Sequence, residues 1–589
     1  MMLFRTLAEH YSELEFVSSR LKMMEILSSL FKITGKDEIK FVIYITQGIL
    51  LPPFEGLEFG VAEKIMEDAI SLATGYEKDI IESSYNKSGD LGIVAFDFKS
   101  KTKLKRMSDN GYNVSDIYHK MYKIANTNGP GSKDLKIKMI AELIASSTDL
   151  EAKYITRYVL GELRLGVGDY TILEALSLAY VGNREEKQSL EYAYNLCSDM
   201  GEVGECLAKN GIESIKKFDV SLFKPLRPEL AERLPTAEEI IERMGGVCSV
   251  EQKYDGFRCQ IHKSNNKVKI YSRNLEETTD MFPDLKEAVI NDIKSDTIIF
   301  EGEALAFNDV TNEFLPFQET IQRKRKHGIK EKSTELPLHL FAFDIIYLNG
   351  RSLINEPYSK RRSIIEKLLN TKIITPTKRI LTSSPKEFEL FFDKSIEDGL
   401  EGIVAKDLKS TYVAGARKFS WIKMKRSYKG ILSDTLDLVI IGYFLGRGSR
   451  AEFKFGGLLC AVYNKERDIF ESISKIGTGF TEDNMRMFSD LLGKIKLANK
   501  PARVDSIVIP DFWVEPRYVI TVRADEITKS PTHTCGKSKN ESGLDIGYAL
   551  RFPRIIENSN IRTDKSAEDA TTTSEVIAMY NDQKKISSK

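Results

Sequence analysis

Lysine does covalent chemistry only where its amine can be made neutral, and the stretch "EQKYDGFRCQIHK" (residues 251–263) is built as if to allow this. Lys253 stands two residues before an Asp-Gly and five before Arg258, in a segment that otherwise reads as one arm of a β-hairpin. A free lysine side chain titrates near 10.4, so holding it neutral at pH 7 costs roughly 4.6 kcal/mol. Neighbouring cations and partial burial lower that cost. The following residues offer the cations: Arg258, Arg273 in "SRN", Arg417 and Lys418 in "GARKFSW", and Lys423 and Lys425 in "WIKMK". The same groups suit a polyphosphate, because they neutralise charge on the oxygens of a transferring phosphoryl group.

Carboxylates complete the set. Glu301 and Glu303 in "FEGEALAF" and Glu401 in "LEGIVAK" lie among apolar neighbours, as expected of ligands for Mg²⁺ or for a ribose. Strand alternation puts Glu301 with Glu303, and Lys423 with Lys425, on common faces. Phe343 in "LFAFDIIY" offers a flat apolar face to a nucleobase. Singly, each is ordinarily a solvated strand face, a surface pair or a core ring. Their order and company point to chemistry.

These residues need strands to hold them, and the chain is long enough to supply several domains. Its 589 residues predict about three or four. With 42% hydrophobic and 29% charged residues the composition is that of ordinary globular protein. Lys+Arg and Asp+Glu both number 86, so no global basic field exists and an anionic partner must be met by local patches. "MMLFRTLAEHYSELEF" lacks the apolar run of a signal peptide, and no window approaches the ~18 apolar residues of a membrane span, so a cytoplasmic protein is expected. The six cysteines form no C-x-x-C pair, which argues against a disulfide framework or a zinc site.

Up to about residue 215 apolar residues recur at three and four, as in Met139, Ile140, Leu143 and Ile144, then Ile155, Tyr158, Val159 and Leu163. Gly-rich turns break this helical region at "LPPFEG", "NTNGPGS" and "RLGVGD". Three prolines in "FKPLRPELAERLP" end it. From Val250 to about Met424 short β-rich runs alternate with helical pieces, and "HKSNNKVK" reads as a tight turn between antiparallel strands. After "KRSYKG" the alternating runs "DTLDLVIIGYFLGRG", "FKFGGLLCAVYN" and "WVEPRYVITVRADEIT" suggest a small barrel or sandwich.

K-Y-D-G-F-R resembles motif I of the covalent nucleotidyltransferases, and the chain as a whole resembles an ATP-dependent DNA ligase of the archaeal and eukaryotic replicative type. "SRNLEETTDMFPD" resembles motif Ia, "FEGEALAF" motif III, "FAFDIIYLNG" motif IIIa, "EGIVAK" motif IV, "WIKMK" motif V, and "ALRFPRII" with "IRTDK" motif VI. The resemblance implies a multidomain α+β protein: an all-helical DNA-binding domain (1–217), a mixed α/β nucleotidyltransferase domain (218–428), and a β-barrel OB-fold domain with a C-terminal tail (429–589). It implies that Lys253 takes AMP from ATP, that Glu251 reads the adenine amino group, and that Arg258 and Arg273 contact ribose and phosphate. Glu303 then binds ribose, with Phe343 stacking on adenine. Glu401, with Glu303, is a ligand of Mg²⁺ (or Mn²⁺). Arg417, Lys423 and Lys425 hold the phosphates, and Arg551, Arg554, Arg562 and Lys565 of motif VI are delivered by rotation about the "KRSYKG" hinge.

The resemblance further implies DNA contacts through "GPGSKDLKIKMIAELI" and "KYITRYVLGELRLGVGD", where Ser132, Lys133, Arg157 and Arg164 lie near Gly-rich helix starts able to dock phosphates. The basic hairpin "LGRGSRAEFKFGG" could track a backbone. The implied activity is the sealing of nicks in duplex DNA during replication, repair and recombination, by a monomer. Thr521 stands where the family usually has an acidic residue, and "IIENSN" lengthens the gap between Arg554 and Arg562. A sliding clamp is a partner expected from the family alone, since "FKSKTKLKRM" lacks the usual glutamine and paired aromatics. An RNA ligase or a GTP-using capping enzyme shares the lysine chemistry but lacks a helical domain before motif I. A DNA-bridging scaffold would lack the nucleophile or a motif V lysine, and both are present.

Overall fold

Amphipathic periodicity in the first third becomes a run of helices from Phe4–Glu15 to Ile212–Ile215 in the computed structural model. It describes residues 1–17, 19–102, 111–234, 236–308, 313–314, 320, 323, 329, 333, 335–398, 400–425, 435–446, 452–539, 545–556, 561–562 and 565–587. The chain divides into two compact units: Met1–Glu232 with Val247–Arg379 and Lys406–Trp421, and Arg233–Gly246 with Ile380–Ala405 and Ile422–Lys589.

In the first unit the helices enclose one apolar core from Met2 to Ile215. Ile140, Leu143 and Ile144 are buried in it as their spacing predicts, as are Ile155, Tyr158 and Val159. Local chemistry sets the helix ends. Thr148 accepts from the Glu151 amide (3.2 Å) while the Glu151 carboxylate accepts from the Thr148 amide (2.8 Å), and this capping box starts the helix Asp149–Val159. Asp90 caps Leu91–Lys101 by accepting from the amides of Gly92 (2.8 Å) and Ile93 (3.3 Å).

The same unit holds an antiparallel sheet. Its strands run in the order Lys267–Ser272, Phe257–Ser264, Thr297–Asn308, Leu338–Leu348, Arg351–Ser352, with Ile374–Pro376 added parallel to Leu338–Leu348. The expected tight turn is present: Ser264 pairs with Lys267, leaving Asn265 and Asn266 as the loop, and Asn265 takes φ +51°. Ile298, Phe300, Leu340 and Ile345 fill the core of this sheet with helices Pro283–Asp292 and Tyr358–Leu368. Each such burial stabilises by roughly 1.5–3 kcal/mol.

The proline-rich segment between helices and sheet is pinned to the strand Phe257–Ser264. The Leu226 amide donates to Gln260 Oε1 (2.8 Å), and the Phe223 amide donates to His262 Nδ1 (2.9 Å). Burial pushes the His262 pKa down to about 3, so the ring stays neutral and can accept.

The second unit is dominated by strands. An eight-stranded sheet contains Leu436–Phe444 paired antiparallel with Gly457–Asn464, Phe512–Val514 and Val519–Arg523, while Gly457–Asn464 pairs on with Ile469–Ile476. A three-stranded sheet joins Glu526–Ser530, Asp545–Arg551 and Cys535–Lys539. The tail segment "SEVIAMY" lies in a helix, Thr573–Ser587, whose Val576 is fully buried in the core of these strands.

Candidate active site

Lys253 ends the strand Cys248–Lys253, half-buried after five buried residues. The Asp-Gly that follows has a steric reason: a Cβ on Gly256 would come within 2.3 Å of the Ala304 carbonyl, so only glycine lets the two backbones approach here. The glycine serves a contact within the protein.

Two residues before Lys253, Glu251 is almost fully buried. Its carboxylate accepts from the Tyr358 hydroxyl, from Thr377 Oγ1 (2.8 Å) and from Ser249 Oγ (3.3 Å), and pairs with Lys406 Nζ (3.2 Å). Lys406 is equally buried. It donates to the Phe343 carbonyl (2.7 Å) and faces the rings of Trp421, Tyr358 and Phe343 at 4.3, 4.7 and 5.1 Å. Burial pushes its pKa down while Glu251 and Asp344 oppose the shift.

Register explains Arg258. It lies directly opposite Glu303 and diagonal to Glu301, which faces Gln260. Its guanidinium is bidentate on Glu301 (3.3 and 2.9 Å) and donates to the Glu229 carbonyl (2.9 Å), with the rings of Phe343 and Trp421 at 5.1 and 5.7 Å. Tyr412 donates a further hydrogen bond to Glu301 (2.8 Å). Burial works against the Arg258 charge, yet Glu301 outweighs it and the pKa is raised. Glu229 is buried too, accepting from Ser420 Oγ (2.6 Å) and the Val413 amide (2.9 Å); burial raises its pKa to about 7.

Of the sequence-predicted nucleotide residues, Glu251, Lys253, Arg258, Glu303 and Phe343 thus sit on strands of the first unit, and Arg273 is exposed in the turn after Lys267–Ser272. In the second unit Glu401 forms an ion pair with Lys425, and Lys423 is half-buried. Gly402 beside Glu401 has φ +150°, and a Cβ there would lie 2.1 Å from the Met424 carbonyl. The Arg417 side chain, the 426–430 part of the hinge and residues 447–451 of the basic hairpin lie outside the described residues, as do residues 103–107 of "FKSKTKLKRM". Among the described residues no group of three or more His, Cys, Asp or Glu could hold a metal ion.

The motif VI cations are more open. Arg551 pairs with Glu526 (2.7 Å) and Arg554 with Asp525 (3.6 Å), while Arg562 (3.2 Å) and Lys565 (2.6 Å) share Asp437. In the helical region Ser132 starts its helix after Gly131 at φ +78°, and Lys133 is exposed. Arg157 differs: 4% exposed, it pairs with Asp90 (2.6 Å) and Glu15 (2.6 Å). Arg164, at φ +57°, donates to the Gly89 carbonyl (2.9 Å) and lies 3.4 Å from Asp90. Arg157, Arg164 and Asp90 line one cleft with Lys64 and Tyr85.

Three family models match the chain: DNA ligase N terminus over residues 3–177, ATP dependent DNA ligase domain over 228–425, and ATP dependent DNA ligase C terminal region over 451–565. A probable DNA ligase of Dictyoglomus turgidum is 47% identical over 99% of this chain and 98% of its own length. The chain belongs to the ATP-dependent DNA ligase family. A DNA ligase of Sulfophobococcus zilligii is 42% identical (99% and 98% covered), and one of Nitrosopumilus maritimus 40% (99% and 99%). The solved structure Pmar-Lig_PreS3, at 18% identity, TM-score 0.56 and coverage of 94% and 99%, shares the fold. No helix among the described residues of this ligase is long and apolar enough to cross a membrane.

Sequence reasoning missed Lys406, Tyr358, Thr377 and Glu229, which hold the ligase's Glu251 and Arg258 in place. Lys406 closes the quoted "EGIVAK", yet nothing in strand periodicity tells a buried lysine from an exposed one.

Proposed function

We propose that this ligase seals 5′-phosphate/3′-hydroxyl nicks in duplex DNA through an adenylated Lys253. The observation that carries the reading is the strand Cys248–Lys253, where a buried and fully engaged Glu251 stands two residues before a half-buried lysine at the strand's end. In the first step the neutral Lys253 amine attacks the α-phosphorus of ATP. An N–P bond forms, the bond to the β-phosphate oxygen breaks, the amine loses a proton and pyrophosphate departs. In the second, the nick 5′-phosphate displaces the lysine and a P–O–P link replaces the N–P bond. In the third, the 3′-hydroxyl attacks that phosphate, loses its proton and releases AMP.

Glu251 accepts from the adenine amino group in place of one of its present donors, and the Phe343 ring provides the stacking face. Arg258 and Glu303 face each other across a strand pair and take the ribose; Arg273 and Arg417 meet phosphate with Lys423 and Lys425. Glu303 and Glu401 are carboxylates, the hard donors that suit Mg²⁺ or Mn²⁺, and a bound ion would neutralise charge on the triphosphate.

For DNA, Ser132, Lys133 and Arg164 dock phosphates without reading sequence, while Arg157 holds Asp90 and through it the Arg164 loop. The strands after residue 435 form the OB-fold barrel of the domain 429–589, which rotates to deliver motif VI, beside a nucleotidyltransferase domain 218–428 and a DNA-binding domain 1–217. The enzyme works as a cytoplasmic monomer in replication, repair and recombination, with a sliding clamp as the family's partner.

Sealing of a nicked DNA duplex compared with a nicked RNA duplex, each with ATP or GTP, tests this reading. Joined DNA with ATP alone is expected. Joining of RNA in preference to DNA, or covalent labelling of the chain with GMP from GTP and not with AMP from ATP, would overturn it.

A further inference from the structure

The strand Leu436–Phe444 runs antiparallel to Val519–Arg523, with Asp437 directly opposite Thr521. Thr521 Oγ1 donates to Asp437 Oδ1 (2.7 Å). The other carboxylate oxygen receives Lys565 Nζ (2.6 Å) and Arg562 Nη1 (3.2 Å). The Asp437 backbone is fixed from a third direction, since its amide donates to Thr571 Oγ1 (3.0 Å) and its carbonyl accepts from the Thr571 amide (2.9 Å). Arg562 is tied as well: its amide donates to the Val519 carbonyl (2.8 Å), which returns the chain to this strand after the longer motif VI gap. The Asp437 side chain is 12% exposed, those of Arg562 and Lys565 about a third. Burial pushes the Asp437 pKa up, but the Lys565 and Thr521 hydrogen bonds and the Lys565 and Arg562 charges outweigh it and leave it lowered.

Two carboxylates directly opposite each other on paired strands repel. A threonine at 521 avoids that repulsion and leaves one carboxylate, on the other strand, to meet both cations. We propose that Asp437 is the positioning residue for Arg562 and Lys565, meeting both cations from the strand paired with Thr521. The proposal rests on the reading above, in which domain rotation delivers motif VI, and takes these two cations to act in the step that transfers AMP to Lys253.

The full-length chain provides the test, with two readouts: single-turnover labelling by α-labelled ATP, and sealing of a nick that already carries AMP. Asp437→Asn is expected to slow labelling roughly 10- to 100-fold while sealing of the adenylated nick stays within about threefold. Adding Thr521→Glu to Asp437→Asn is expected to restore most of the labelling rate, which a merely structural role would not do. Labelling by Asp437→Asn at the wild-type rate overturns the proposal, as does a loss that Thr521→Glu leaves unrestored. Arg562→Ala and Lys565→Ala separate the two readings. If both label normally, the premise about motif VI fails and the proposal with it; if both are slow and Asp437→Asn is not, the positioning role alone is overturned. Should Asp437→Asn not fold, Thr521→Val removes only the hydroxyl on Asp437 and is expected to slow labelling roughly 2- to 5-fold. An unchanged rate there also overturns the proposal.

Discussion

Charge is handled in opposite ways around Glu251 and around motif VI. Glu251, Lys406, Glu301 and Arg258 are buried or nearly so, each with several partners drawn from different strands and helices. Arg554 has its side chain half in solvent and lies 3.6 Å from the Asp525 carboxylate, and Arg551 pairs with a glutamate that is itself 42% exposed. A buried pair is costly to break because the partner left behind is an uncompensated charge, whereas an exposed pair contributes about 0–1 kcal/mol and exchanges readily. The first arrangement suits groups that must stay still around a nucleotide. The second suits groups that change partners during a reaction cycle.

Truncating the buried set should therefore hurt stability most. Arg258→Ala leaves Glu301 buried without its bidentate partner and is expected to cost about 3–5 kcal/mol, read from denaturant midpoints. A loss below about 1 kcal/mol would erase the contrast with motif VI.

A pH effect of intermediate size should come from Glu229, whose pKa is raised from the usual 4.5 to about 7 by burial. The folded state then binds a proton more tightly than the unfolded one, so the stability this group contributes is present below about 4.5 and is lost as pH rises through 7. Glu229→Gln is expected to remove up to about 3 kcal/mol of pH dependence between pH 5 and 8, seen as a flatter melting-temperature profile than wild type. Parallel profiles for the two proteins would contradict it.

The smallest effect belongs to the open pairs. Arg551→Ala and Arg554→Ala should each shift stability by less than about 1 kcal/mol while slowing ATP-dependent labelling of the chain. Stability losses like that of Arg258→Ala would place motif VI with the buried set after all.

What could be read from the sequence was whatever depends on neighbours along the chain. The helical spacing of Ile140, Leu143 and Ile144, the two-residue turn at Asn265, and the order of charged motifs are all local signals. Partners distant in sequence left no such trace. Arg157 looks like any basic residue near a Gly-rich turn, and its burial against Asp90 and Glu15 follows from helix packing, in which a Cβ on Gly92 would lie 2.6 Å from the Arg157 side chain. Thr521 reads as a lost carboxylate until strand register sets Asp437 opposite it. Nothing near Gly256 in the sequence announces the Ala304 carbonyl, which supplies the reason for a glycine there within the fold.

The covalent role of Lys253 is the centre of the account, and one measurement addresses it directly. The protein is incubated with α-labelled ATP and Mg²⁺, digested, and the labelled peptide identified, alongside Lys253→Ala. Label on the peptide containing Lys253, and none in the variant, is the expected result; label that persists in Lys253→Ala would contradict it.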